Sequence, residues 1–153
     1  MRFGQEIQAV PRAAELTDND RLPVKVVVGV VIDSERRVLI NQRPAGKPMA
    51  GAWEFPGGKL ERGESAWSGL SRELHEELGI DVLQAEPLLD LTHEYPELIV
   101  HLDVWWVSRW AGKVSPRDGQ SLRWIEACAL DSVPLLPADA PIVKAIAARL
   151  SAA

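Results

Sequence analysis

The sequence predicts an α/β or α+β sandwich in which a mixed sheet packs against two main helices. Three observations support this fold class. A β-branched run over 24–32 is typical of a strand buried on both faces. Apolar residues recur at helical spacing over 65–78 and 141–150. Short apolar runs bounded by turn residues indicate further strands between those two helices.

The elements follow in chain order. Prolines and glycines indicate a loop over 44–51, and the glycine pair at 57–58 predicts a tight turn. The first helix covers 65–78, and Gly79 supplies a left-handed stop. The second helix covers 141–150, with a proline near its start. The predicted strands cover residues 24–32, 38–42, 53–55, 87–93, 98–107 and 121–125.

Length and composition predict one globular domain over 23–153 after a flexible N-terminal extension over 1–22. The formal net charge of −5 argues against a surface for a nucleic-acid polymer. No apolar stretch reaches the ~18 residues of a membrane span, and the N-terminus lacks the apolar core of a signal peptide. We therefore expect a cytoplasmic protein without a membrane partner. The single cysteine, Cys128, excludes an internal disulfide, and we expect a buried structural thiol.

The first predicted helix carries an apolar face and an acidic face. At ~100° per residue, the apolar face consists of Trp67, Leu70, Leu74 and Leu78. The acids Glu73, Glu76 and Glu77 lie on a neighbouring face, where like charges repel one another and oppose the helix dipole. A hard divalent cation bound to a phosphate explains this cost, because Mg²⁺ takes few carboxylates together with water and phosphate. The alternative is a solvated acidic face.

The run from Gly58 to Ile80 resembles a complete Nudix box. It contains Gly, five residues, Glu, seven residues, Arg-Glu-Leu, one residue, Glu-Glu, one residue and Gly-Ile. The similarity to the MutT-like branch extends from about Val26 to Leu150, through Gln42-Arg-Pro, Trp53-Glu-Phe-Pro-Gly-Gly-Lys, Asp118-Gly-Gln and Pro137-Ala-Asp-Ala-Pro-Ile. The resemblance implies a Nudix-like α/β/α sandwich with a mixed central sheet. It also implies hydrolysis of a nucleoside diphosphate linked to another group.

The same resemblance implies roles for single residues. Asp118 stands where the MutT-like branch has a glutamate that approaches the metal, and its side chain is shorter. Glu64 and Arg72 would hold the loop, helix and following loop together. The implied metal ligands are Glu73, Glu76, Glu77, the Gly57 carbonyl and Asp118. The general base stays open among Glu73, Glu76, Asp118 and Lys59, with the box carboxylates favoured.

Four residues are implied around the substrate. Arg43 would bind phosphate or sugar, or else be an exposed loop cation. Phe55 would stack on the base, or else belong to the core. Asp139 would read the base, cap the helix that begins near residue 141, or do both. Lys59, beside the glycine turn, is the fourth substrate-binding candidate.

The identity of the base depends above all on Asp139. The best-known MutT-like proteins carry asparagine here, which offers both a donor and an acceptor, whereas an ionised aspartate only accepts. We expect a Mg²⁺-dependent hydrolase, with Mn²⁺ as a possible substitute, that cleaves an oxidised triphosphate such as 8-oxo-dGTP to monophosphate and pyrophosphate. This activity would belong to nucleotide-pool sanitation and DNA repair. The alternatives are a CTP or modified-dCTP pyrophosphohydrolase and, in another class, a non-catalytic nucleotide-binding module.

Overall fold

Seven β-strands and two α-helices are present in the part of the chain that the computed structural model describes, residues 23–46 and 49–152. The extension predicted over 1–22 lies outside these residues. The strands are β1 (Val24–Val31), β2 (Arg37–Gln42), β3 (Trp53–Glu54), β4 (Gly57–Lys59), β5 (Asp81–Tyr95), β6 (Leu98–Ala111) and β7 (Leu122–Glu126). The helices are α1 (Ala66–Leu78) and α2 (Ala140–Ala152), and 3₁₀ turns cover Ala127–Ser132 and Pro137–Asp139.

The strands form two sheets. The larger has the order β4-β1-β6-β5 and the smaller the order β3-β2-β7. Within the larger sheet β1 runs parallel to β6, from Val24 opposite Val100 to Val31 opposite Val107, while the other neighbours are antiparallel. The prediction of a mixed sheet is therefore confirmed.

Strand β1 separates two hydrophobic layers, as its β-branched sequence predicted. Val26, Val28 and Val30 face a cluster that includes Ile142 and Ile146 of α2. Val27 and Val31 face the opposite cluster, where Leu70, Leu74 and Leu78 of α1 are completely buried. Burying one such side chain contributes about 1.5–3 kcal/mol. The two helices thus cover opposite faces of the sheet, which is the α/β/α arrangement that the resemblance implied.

Helix α1 begins and ends where local signals predicted. The Ser65 hydroxyl accepts a hydrogen bond from the Ser68 N–H at 3.2 Å, and Gly79 adopts φ = 72° at the C-terminal cap. Trp67 departs from the predicted apolar face: it is 40% exposed and packs edge-to-face against Trp105, with 6.0 Å between ring centroids. Its position in the first helical turn, ahead of the buried leucines, leaves one side of the ring in water.

Three further predictions were wrong in detail. Gly57 and Gly58 lie in strand β4, paired with β1, instead of a tight turn. A Cβ on Gly57 would lie 2.1 Å from the Val27 carbonyl oxygen, so the glycine permits close strand pairing and not a turn. Strands β5 and β6 are longer than predicted, since register shifts near Pro87 hide the alternation of β5. Cys128 is exposed in a 3₁₀ turn and not buried. Within the described residues, no helix is long and apolar enough to cross a membrane.

Candidate metal and nucleotide site

Strand β4 and helix α1 bring the predicted acidic cluster together. Glu73 and Glu77 are fully buried against the sheet, whereas the Glu76 side chain is 36% exposed. A Cβ on Gly58 would lie 2.5 Å from the Glu73 carboxyl carbon, so the glycine allows that carboxylate to lie against the backbone of β4. The Gly57 N–H donates to Glu77 Oε2 at 3.3 Å. The glycine pair therefore permits a close approach of acid and strand.

Arg72 ties this cluster to the loop before the helix. Its Nε and Nη2 donate to the two oxygens of Glu64, each at 2.8 Å, in a bidentate pair. Its Nη1 donates to Glu73 Oε1 at 2.7 Å and lies 3.4 Å from Glu76 Oε2. The pair with Arg72 lowers the pKa of Glu64 to about 2. Glu64 and Arg72 thus join the loop and the helix by direct contact.

The loop between β6 and β7 brings Asp118 to the end of the same helix. The backbone N–H of Ser115 donates to the Leu78 carbonyl at 2.9 Å, and that of Arg117 donates to the Glu77 carbonyl at 3.0 Å. Burial raises the pKa of Glu77 well above its usual value, and the negative charges of Glu73, Glu54 and Asp118 add to the increase. The Asp118 carboxylate is therefore within electrostatic reach of the acidic cluster.

The donor set of this cluster fits a hard divalent cation. All the predicted ligands are oxygens, and Glu77 Oε1 is buried without a hydrogen-bond partner among the described residues. In the described residues, no group of three or more His, Cys, Asp or Glu side chains is arranged so that it could hold a metal ion. The Arg72 guanidinium, 2.7 Å from Glu73 Oε1, is the cation around which the carboxylates gather. The acids thus present oxygen ligands and excess negative charge at one end of the sandwich.

A second polar group lies beside this cluster, in the core. Arg43 and Glu54 are almost completely buried, and their side chains pair through Nη1 and Oε2 at 3.4 Å. The alternative of Arg43 as an exposed loop cation is therefore wrong. Phe55 is 4% exposed, belongs to the core and also faces a narrow pocket. This pocket is lined by Val26, Val28, Glu54, Phe55, Gly57, Leu102 and Asp139.

Burial sets the charge of the acids in this pocket. It raises the pKa of Glu54 to about 7, although the pairing with Arg43 acts in the opposite direction. Burial also raises the pKa of Asp139 well above its usual value, and the nearby charge of Glu54 increases it further. Asp139 is 5% exposed, and its Oδ2 has no hydrogen-bond partner in the described part of the chain. A protonated carboxyl in such a place offers one donor and one acceptor to a ligand.

The acidic cluster lies on the face of the larger sheet that α1 covers, and the pocket lies on the face that α2 covers. Gly57, in the edge strand β4, contacts both. Lys59 is exposed at the end of β4, and its carbonyl accepts from Arg72 Nη2 at 3.2 Å. The sequence analysis missed Glu54, although an acid between two aromatic residues in a short strand was a signal for a buried polar group. It also missed Gln120, which contacts both the Asp118 backbone and the end of α1.

Comparison with known proteins places these contacts in a family context. The model of the NUDIX domain family matches residues 27–145. A CTP pyrophosphohydrolase of Escherichia coli K12 is 38% identical over 126 residues, which cover 82% of this chain and 93% of that protein. An 8-oxo-dGTP diphosphatase of Haemophilus influenzae is 36% identical over 124 residues, 81% of this chain and 91% of that protein. The solution structure of the E. coli ORF135 protein is 34% identical, with a TM-score of 0.78, over 90% of this chain and 97% of that chain.

Proposed function

This chain belongs to the Nudix hydrolase family, and we propose that it is a Mg²⁺-dependent pyrophosphohydrolase of nucleoside triphosphates, with 8-oxo-dGTP as its substrate. The observation that carries the proposal is the junction of two sites at Gly57. Its N–H contacts the acidic cluster through Glu77, and the same glycine lines the pocket that contains Asp139. We also assign the catalytic unit to a single domain over 23–153, with 1–22 as an extension.

The acidic cluster would hold the metal and the phosphate chain. A divalent cation supplies charge compensation for the triphosphate and lowers the pKa of a bound water. The residues that would hold it are Glu73, Glu76, Glu77, Asp118 and the Gly57 carbonyl. Arg72 and Glu64 would keep the helix and its preceding loop in register, because their bidentate pair fixes both. Lys59, at the exposed end of β4, would contact the phosphates.

The reaction needs water as the nucleophile and no covalent enzyme intermediate. One water oxygen forms a bond to the phosphorus next to the sugar, and the bond from that phosphorus to the bridging oxygen breaks. Pyrophosphate leaves with the electron pair of that bond. A box carboxylate accepts the proton of the water, for which we favour Glu73 or Glu76 over Asp118 and Lys59. The products are a nucleoside monophosphate and pyrophosphate.

The pocket supports an oxidised guanine as the base. Phe55 supplies an aromatic surface, and Arg43 pairs with Glu54, which lines the pocket. A carboxyl with a raised pKa at Asp139 resembles the amide of asparagine, because it donates and accepts at neighbouring oxygens. Oxidised guanine presents a donor at N7 beside the acceptor O6, which matches this pair. We therefore assign base recognition to Asp139.

CTP is the second candidate substrate. Cytosine also presents an acceptor, N3, beside a donor, the N4 amine, so the same protonated carboxyl matches it. The relative with 38% identity is named as a CTP pyrophosphohydrolase.

Pyrophosphate release with Mg²⁺ tests the proposal directly. The substrates are dGTP, 8-oxo-dGTP, CTP and dCTP, and mass spectrometry in ¹⁸O-water identifies which phosphorus is attacked. We expect the highest kcat/KM for 8-oxo-dGTP and the ¹⁸O label in the monophosphate. A higher kcat/KM for CTP would establish the second candidate. Nucleotide binding without release of pyrophosphate from any substrate would contradict the proposal and favour a binding module.

The variants Asp139→Leu and Asp139→Asn test base recognition in the same assay. Since leucine has neither donor nor acceptor, we expect Asp139→Leu to change the ratio of kcat/KM between 8-oxo-dGTP and CTP more than either kcat, whereas Asp139→Asn, which keeps one donor and one acceptor, should leave the ratio close to that of the wild type. An equal change for both nucleotides would show that Asp139 does not read the base.

A further inference from the structure

Gln120 connects the loop before β7 to the last turn of α1. Its Oε1 accepts from the Asp118 N–H at 3.0 Å, and its Nε2 donates to the Glu77 carbonyl at 3.1 Å. The residue is only 7% exposed. One side-chain amide therefore joins the backbone of a loop acid to the backbone of a buried helix acid.

The amide of glutamine suits this bridge for a chemical reason. It presents one acceptor and two donors at a fixed separation, and each end meets a backbone group of the opposite kind. A carboxylate would turn an acceptor towards the Glu77 carbonyl, and an apolar side chain would leave both backbone groups without this partner. The bridge therefore depends on the amide and not on side-chain volume alone.

Neighbouring contacts make the bridge part of a docked loop. The backbone N–H groups of Ser115 and Arg117 already bind the carbonyls of the last helical turn. The Arg117 guanidinium lies over Gly79, where an added Cβ would be 2.6 Å from its Nε. Gly119 adopts φ = 71°, which turns the chain between Asp118 and Gln120. The two hydrogen bonds of Gln120 close this turn against the helix.

We propose that Gln120 is a positioning residue that holds Asp118 at the acidic end of α1, so that the Asp118 carboxylate acts together with Glu77 on the divalent cation. This inference rests on the proposed function, since it takes Asp118 as a metal ligand. In this role Gln120 acts through the two backbone groups that its amide binds. Its effect on metal binding passes through the Asp118 backbone.

The test is a double-mutant cycle on Mn²⁺ binding by nucleotide-free protein, measured by electron paramagnetic resonance. The variants are Gln120→Met, Asp118→Asn and the double variant, with Gln84→Met as the control because Gln84 is exposed on β5. We expect Gln120→Met to weaken binding about tenfold, as loss of a group that orients a ligand does. The double variant should bind no more weakly than Asp118→Asn, and Gln84→Met should bind as the wild type does.

The outcomes separate the inference from the proposed function. Equal weakening by Gln120→Met in the wild type and in the Asp118→Asn variant would overturn the positioning role, because Gln120 would then act on the fold in general. Wild-type affinity of Asp118→Asn, with Glu76→Gln still weakened, would remove Asp118 from the metal site and leave the rest of the proposed function intact. If Gln120→Met, Asp118→Asn and Glu76→Gln all bound Mn²⁺ as tightly as the wild type, the metal site itself would be contradicted.

A second variant covers the case in which Gln120→Met does not fold. Gln120→Asn keeps a neutral amide, but its side chain is one methylene shorter and cannot reach both the Asp118 N–H and the Glu77 carbonyl. It adds no charge beside Asp118, so the coupling reports the bridge alone. We expect the same loss of additivity with Asp118→Asn, and additive effects would overturn the inference.

Discussion

Two groups of carboxylates contain one arginine each. The pKa of the glutamate that pairs with the arginine is lowered in one group and raised in the other. In the helix cluster, defined as Glu64, Glu73, Glu76 and Glu77 with Arg72, the arginine is 20% exposed and makes a bidentate pair that lowers the pKa of Glu64 to about 2. Beside the pocket, Arg43 is completely buried, and its Nη1 lies 3.4 Å from Oε2 of Glu54, which lines the pocket. There burial dominates and raises the pKa of Glu54 to about 7.

The difference shows how one residue type serves two tasks. In the helix cluster the pairing with Arg72 keeps Glu64 ionised, whereas the pKa of the buried Glu77 is raised by burial and by the neighbouring acids. The oxygens of this cluster would suit a divalent cation that offsets their charge. A carboxyl that keeps its proton, as burial favours at Asp139, would recognise a neutral base by the direction of its hydrogen bonds and not by charge. Burial and the geometry of the arginine pair set the pKa of each acid, while the functional group, a carboxyl, is the same.

The largest expected effect is that of Glu76→Gln, which removes charge from the helix cluster without changing shape. If the cluster works through ionised ligands, the loss of metal-assisted stabilisation is several kcal/mol, and kcat should fall by about two orders of magnitude or more. The assay is pyrophosphate release at saturating Mg²⁺, with circular dichroism as a check on the fold. Near wild-type turnover would show that the helix cluster does not need a charge at residue 76, because a neutral side chain would then serve as well.

Arg72→Lys should have the next largest effect, on stability. Lysine keeps the charge but cannot make the fork of two hydrogen bonds to Glu64, so we expect the free energy of unfolding to fall by about 2 kcal/mol. Arg37→Lys is the matched control: Arg37 pairs with Asp33 and Glu35 in a more exposed turn, with 44% side-chain exposure. Urea unfolding of both variants makes the measurement. Equal losses would show that the Arg72 pair is an ordinary surface contact.

Local signals in the sequence were sufficient for the helix that carries the proposed metal ligands. Ser65 and Gly79 marked its ends, and the spacing of Glu73, Glu76 and Glu77 predicted the acidic face, because caps and helical period depend on neighbours in the chain. The resemblance to the Nudix box then supplied the reaction class.

The pocket was harder to predict because its properties come from contacts distant in sequence. Glu54 pairs with Arg43 and shares a pocket with Asp139, which lies 85 positions further along the chain. No local pattern reveals that these three side chains are buried together. Exposure was missed for the same reason: Cys128 and Trp67 carry apolar character, and only the packing of neighbouring elements leaves them in contact with water.

The smallest expected effect is on the pH dependence of stability and concerns the proton on Asp139. A folded-state pKa above the unfolded value of about 3.9 means that the folded protein binds more protons, so this residue reduces stability as pH rises above about 4. Asp139→Asn should therefore be more stable than the wild type at pH 8, by on the order of 1 kcal/mol. The difference should shrink as pH falls towards 4.5.

Urea unfolding of the wild type and of Asp139→Asn from pH 4.5 to pH 9 provides the measurement. Asp131→Asn, at an exposed aspartate, controls for removing a carboxylate from the chain. A stability difference that grows with pH only for Asp139→Asn identifies a carboxyl that folds with its proton. A difference that shrinks with rising pH would mean that Asp139 is stabilised as an anion. Its pKa would then be lowered in the folded protein, as that of Glu64 is.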